Sequence, residues 1–251
     1  MKFNFKKIIA STLVVFSMLP VLTFAEENGK SATAPGKKEG DFCTRLSSVQ
    51  VKYADQIKKT EEKRFKNESD RSDKLHNKES DIDARRASNR ADVDGKRMKN
   101  WDKMLSKAKT DAQKAAVEAY KTAIQNAVTA RRTAVDGAVK TYRDGLTAAM
   151  TTHSGTINTA IAAFKASVDA ALSKAQTDCS NKVDSKVVKD TFNKSVSDAK
   201  KVLQEARKSA EISSGLAALK KTRDEAIKAA ETTFKQATDK ARADLMLALK
   251  A

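Results

Sequence analysis

Three stretches decide the fold: AVEAYKTAIQNAV (116–128), AVKTYRDGLTAAM (138–150) and AIAAFKASVDAAL (160–172). They align without gaps at a spacing of 22 residues. Ala116, Ala138 and Ala160 match, as do Val117, Val139 and Ile161. So do Tyr120, Tyr142 and Phe164, and Ile124, Leu146 and Val168. The copies end on Ala127, Ala149 and Ala171, followed by Val128, Met150 and Leu172. At about 100° per residue these positions fall on one face, within about 120° of arc. That is a helical stripe built to pack against other helices. A step of 22 residues equals two eleven-residue repeats and turns the stripe by only about 40° beyond six turns. One continuous helix can therefore carry all three copies, with Gly137, Gly145 and Gly155 inside it. Thr151, Thr152, His153, Ser154 and Gly155 make its weakest point.

On either side the pattern is similar but less regular. Phe42, Leu46, Val49, Tyr53 and Ile57 step by four, three, four and four, so a helix is expected from 42. Large apolar residues then thin out from 58 to 97. Helix in that stretch rests on propensity and charge pairing rather than burial. Met98, Trp101, Met104 and Leu105 restore an apolar cluster, most simply a packing cluster. Thr110 and Asp111 read as a break followed by a strong helix start, and Gly95 is a weaker candidate. Beyond CSNK (179–182), Val183, Val187, Phe192, Val196, Leu203 and Ala210 form another stripe. A break is expected near 213–215, before a last stripe through Leu216, Leu219, Ile227, Phe234, Ala241 and Leu245. The spans 42–109, 112–179 and 183–250 contain 68 residues each. No proline occurs after Pro35, which disfavours sandwiches and barrels, with their frequent turns. The expected class is all-α: long antiparallel helices forming an elongated coiled-coil-like hairpin or a three-helix bundle.

The two cysteines test that layout. A hairpin turning near 110–111 places residues opposite each other when their numbers sum to 222, and 43 and 179 do so. Cys43 and Cys179 are therefore the disulfide candidate, a staple at the open end of the hairpin. Two free thiols are the alternative, in a compartment that forms no disulfides.

At the N-terminus, Lys2, Lys6 and Lys7 precede a mostly apolar run over 8–21. Thr23, Phe24 and Ala25 then complete a secretory signal pattern over 1–25, with cleavage expected after Ala25. Residues 8–25 are short for a membrane span, so a retained anchor is the weaker alternative. No cysteine follows the expected cut, which argues against a lipoprotein. Residues 26–41 are polar, contain Gly and Pro, and read as a flexible linker. The whole chain carries 49 Lys and Arg against 32 Asp and Glu, a net charge of +17. Removing 1–25 takes away three lysines and no acids, leaving +14. The excess is spread along the chain rather than blocked.

Two distant histidines, His76 and His153, do not make a zinc site, and no nucleophile elbow, metalloprotease or P-loop pattern occurs. No catalytic, metal or cofactor site is expected, and no cofactor. Much of the apolar content is alanine, which builds thin cores. No groove-reading module or stacking platform supports specific nucleic-acid binding. The Ala-rich stripe suits helix packing better than bilayer insertion, although contact with a membrane surface fits the charge. The leading expectation is a secreted, non-enzymatic helical structural or interaction protein. It would present long charged faces to a protein partner or an anionic envelope polymer, alone or as an oligomer. The alternatives are a holdase-like extracytoplasmic chaperone and a peripheral binder of anionic lipid or polymer.

Overall fold

The computed structural model describes residues 41–250; the expected signal peptide and the linker up to residue 40 lie outside them. Four helices follow in order: α1 (Phe42–Lys107), α2 (Asp111–Ser180), α3 (Ser185–Ser209) and α4 (Ser213–Ala248). No strand occurs among the described residues. The protein is all-α, and its long helices pack antiparallel as a hairpin and bundle.

Local chemistry sets the helix ends. Thr110 caps α2: its Oγ1 accepts the Gln113 N–H at 3.1 Å, and Gln113 Oε1 accepts the Lys109 N–H at 2.9 Å. This is a Thr-x-x-Gln start in which two orphan donors are satisfied by side chains. The end of α2 is a Schellman motif. Lys182 takes a left-handed φ of 60°, its N–H donates to the Cys179 carbonyl, and the Val183 N–H donates to the Asp178 carbonyl. Asp184 then caps α3, with Oδ1 accepting the Lys186 and Val187 N–H groups at 3.0 and 3.2 Å. The break between α3 and α4 falls at 210–212. Ser213, Ser214 and Gly215 form the first turn of α4 instead. α1 runs through Gly95 without interruption, and α2 runs through 151–155. At the α3–α4 break, the His153 ring Nδ1 lies 2.7 Å from the Ala210 carbonyl. A carbonyl can only accept, so the ring N–H donates there and satisfies a helix-end acceptor.

The chain divides into two compact units. Unit one holds residues up to 73 and 157–209; unit two holds 74–156 and the residues from 210. In unit one, Phe42, Leu46 and Ile57 of α1 are buried together with Ile157, Ile161, Phe164, Val168 and Leu172 of α2. From α3 come Val188, Phe192, Val196 and Leu203. The Phe192 ring meets Phe42 at 5.7 Å and Tyr53 edge-on at 5.6 Å. The Cys43 N–H donates to Ser185 Oγ at 3.4 Å, so both helices start at the same end and α3 runs parallel to α1. A disulfide joins Cys43 to Cys179, with Cα atoms 5.6 Å apart. In unit two the core is Trp101, Ile124, Val128 and Ala241, with Met104, Tyr120 and Phe234 packed against it.

The aligned positions of α2 are not equally covered. Val117, Ile124, Ala127 and Val128 of the first copy are buried, as are Ile161, Phe164, Val168, Ala171 and Leu172 of the third. Ala138, Val139, Tyr142, Leu146, Ala149 and Met150 of the middle copy are all half-buried.

Candidate functional site

The stretch 58–97, where large apolar residues are sparse, is packed by charge. In unit two, three arginines make two-pronged bonds to aspartates between α1 and α2. Arg90 holds Asp136 at 2.8 and 2.7 Å, Arg132 holds Asp94 at 2.9 and 2.8 Å, and Arg143 holds Asp83 at 2.7 and 3.0 Å. Arg86 also reaches Asp136 at 3.4 Å, and Arg143 reaches Glu79 at 3.3 Å. Arg97 adds a second cation to Asp94 at 2.7 Å. These pairs obey one register. Residue numbers sum to 222 for Arg86–Asp136 and Glu79–Arg143, and to 226, one helical turn further, for the three forks. In unit one the Cys43–Cys179 bond and the bond from Arg64 to Asn158 also sum to 222.

The arginines depress the acids they hold. Hydrogen bonds from Arg143, Arg132 and Arg90 bring Asp83, Asp94 and Asp136 below the usual aspartate range. The same bonds raise Arg90 and Arg143 above the usual arginine value. A carboxylate held ionised in this way is a poor general acid at neutral pH. The Arg90–Asp136 and Arg143–Asp83 forks line an open groove of 370 Å³ whose wall also includes Arg86, Lys140 and Asp144. Four cations and three carboxylates meet there, so the groove is close to neutral.

A second face of unit two is built on arginine and aromatics. Arg131 lies 3.3 Å from Glu231 and sits over the Phe234 ring at 4.4 Å. Arg223 sits over Tyr142 at 4.6 Å. Both contacts tie α4 to α2, where stacking on the ring face favours a guanidinium. Gly145 permits a close approach here: a Cβ on it would stand 2.6 Å from a Leu219 methyl.

Lysine behaves differently. Its pairs with Asp92, Asp111, Glu118, Asp144, Asp178, Asp198, Glu225 and Asp244 all span three or four residues of one helix. The structure thus brings the two cysteines together and keeps Trp101 as a core residue. Sequence reading missed the arginine forks, treating interleaved charges as solvated surface. The register sum derived from the cysteines, applied to every Arg and acid, picks out Arg86–Asp136 and Glu79–Arg143.

Among the described residues no cluster of His, Cys, Asp or Glu could hold a metal ion. No helix among them is long and apolar enough to cross a membrane. Comparison with family models, with curated proteins and with solved structures finds no match.

Proposed function

We propose that this is a secreted, non-enzymatic helical structural and interaction protein that offers lysine-rich helix faces to anionic envelope polymers. The observation that carries this reading is the division of labour between the two basic residue types. Among the described residues, every ion pair between helices is made by arginine, on Asp83, Asp94, Asp136, Glu79 and Glu231, besides its local pairs such as Arg97–Asp94. Lysine pairs locally, and several of its paired side chains stay in water: those of Lys96, Lys140, Lys194 and Lys240 are all at least 72 % exposed. Residues 26–251 carry 46 Lys and Arg against 32 Asp and Glu. With many acids already paired, the excess of +14 acts outward. The disulfide is compatible with an oxidising compartment, as is the signal pattern at 1–25.

Binding to polyphosphate, DNA and anionic vesicles, measured across salt concentrations, tests the reading. Dispersed charge predicts an affinity that falls steeply between low and physiological salt and differs little between polymers of equal charge density. Tight, salt-insensitive binding to one of them would overturn it.

A further inference from the structure

Unit one contains a buried positive charge whose counter-charge stands at a long distance and is half-exposed. Arg64 of α1 is the one charged residue buried among those described, at 7 % exposure. Its Nη2 bonds Asn158 Oδ1 and approaches Glu68 at 3.5 Å. That second distance is long for a charge-assisted hydrogen bond, and the Glu68 side chain is 45 % exposed. α3 packs on α1 at an offset of 142 residues, fixed by the Cys43 N–H bond to Ser185 Oγ, so Arg207 falls level with residue 65, beside Arg64. Arg207 is half-buried, and its Nε is buried with no hydrogen-bond partner. Burial and the facing Arg64 charge hold Arg207 below the usual arginine value. A guanidinium keeps its proton near neutrality regardless, so two like charges stay close together. One half-solvated carboxylate stands against two guanidinium groups.

We propose that Arg64 and Arg207 form an anion site between α1 and α3 that takes a phosphate group. Each guanidinium is a rigid fork suited to two acceptor oxygens. A carboxylate has two oxygens, enough for one fork and a further single contact, as at Asp94 and Asp136, but leaves no oxygen free once two arginines are bound. A phosphate has enough for both arginines and leaves an oxygen for water or for the rest of an ester. Binding would supply the missing counter-charge and a partner for the Arg207 Nε. The site rests on one buried and one half-buried arginine, not on the exposed lysines, and stands or falls apart from the surface reading above. Free phosphate, a polyphosphate chain and a lipid headgroup all present this chemistry.

Arg207→Met removes one fork while keeping the apolar stem, and Lys208→Met is the matched control on the exposed neighbour. In phosphate-free buffer the Arg207→Met protein is expected to melt at or above the wild type, because a like-charge contact has gone. Adding inorganic phosphate should raise the melting temperature of the wild type and of Lys208→Met but not of Arg207→Met. Calorimetry should show phosphate affinity weakened about tenfold or more by Arg207→Met, as expected for loss of a charged hydrogen bond. Tighter binding per phosphate to polyphosphate, or to phosphatidylglycerol vesicles, would identify the source of the group. Three results would each overturn the site: equal phosphate binding by wild type and Arg207→Met, acetate competing as well as phosphate, or an Arg207→Met protein less stable than wild type without phosphate.

Discussion

The two units solve the same problem, holding α1 and α2 in one register, by different physics. Unit one buries twelve apolar residues larger than alanine among its 86 described residues, including Phe42, Ile157, Phe164, Val168 and Phe192. Unit two buries five among 124: Trp101, Val117, Ile124, Val128 and Leu245. The disulfide belongs to unit one. All five glycines of the described chain, Gly95, Gly137, Gly145, Gly155 and Gly215, belong to unit two, as do the arginine–aspartate forks. Apolar burial supplies stability in proportion to area. Partly exposed ion pairs supply little, about 0–1 kcal/mol each, but their geometry fixes partners. The contrast teaches that a helical hairpin can draw its stability from one region and its alignment from another.

The largest effect should come from the staple. Its cysteines are 136 residues apart, and opening so long a loop costs about 5 kcal/mol in the chain-entropy description. Thermal melts of the protein with and without reductant, and of Cys43→Ser, should show a marked fall in melting temperature. A loss below about 1 kcal/mol would mean that the apolar core of unit one already holds the ends, against the loop-entropy expectation.

Acid should then separate the units. Asp83, Asp94 and Asp136 have folded pKa values below their unfolded value of about 3.9. Their contribution is complete above that unfolded value and is lost as pH falls through the folded ones. Stability from these pairs should stay level from pH 7 to pH 5 and decline below about pH 4, by about 2 kcal/mol for the three forks together. Hydrogen exchange at pH 3 should reach the amides of 79–97 before those of 157–175. Simultaneous loss in both segments would show that the forks do not hold unit two.

The smallest effects should come from glycine. A Cβ at Gly95, Gly137 or Gly155 meets nothing within 4 Å. Alanine at each should stabilise by about 0.5–1 kcal/mol in urea melts, through reduced backbone entropy and better helix propensity. Gly145→Ala should gain less than these, or lose, because the Leu219 methyl must move. An equal gain at 145 would show that Leu219 swings aside without cost.

Much of the fold was legible because it is written in periodicity. The stripe through Val117, Ile124, Ile161, Phe164 and Val168 is the one that is buried. Thr110 reads as a cap and acts as one. Less was legible where several chemistries compete. The paired serines at 213–214 suggested a break, yet serine also favours a helix start, and the break lies just before them at 210–212. Lys182 in a left-handed conformation carries no sequence signal, since glycine or asparagine is the usual occupant. Charges in 58–97 looked solvated because each acid has a local basic neighbour. Only a register across the hairpin distinguishes Asp136, held by Arg90 of the other helix, from Asp198, paired with Lys194 on its own. The Arg64 and Arg207 pair was invisible for the same reason, as it needs the alignment of α3 with α1.

The constant register sum has a consequence for how such a chain can change length. A residue inserted in α1 between Cys43 and the 108–110 turn shifts every partner that follows it, and the disulfide and the turn bar the slip from running off either end. An insertion on one side must therefore be matched by one of equal size on the other. Each must also come close to a multiple of eleven residues, or the stripe rotates off its face. Growth of this hairpin is quantised in mirrored pairs, so relatives of different length should differ on both sides of the turn by the same whole number of repeats.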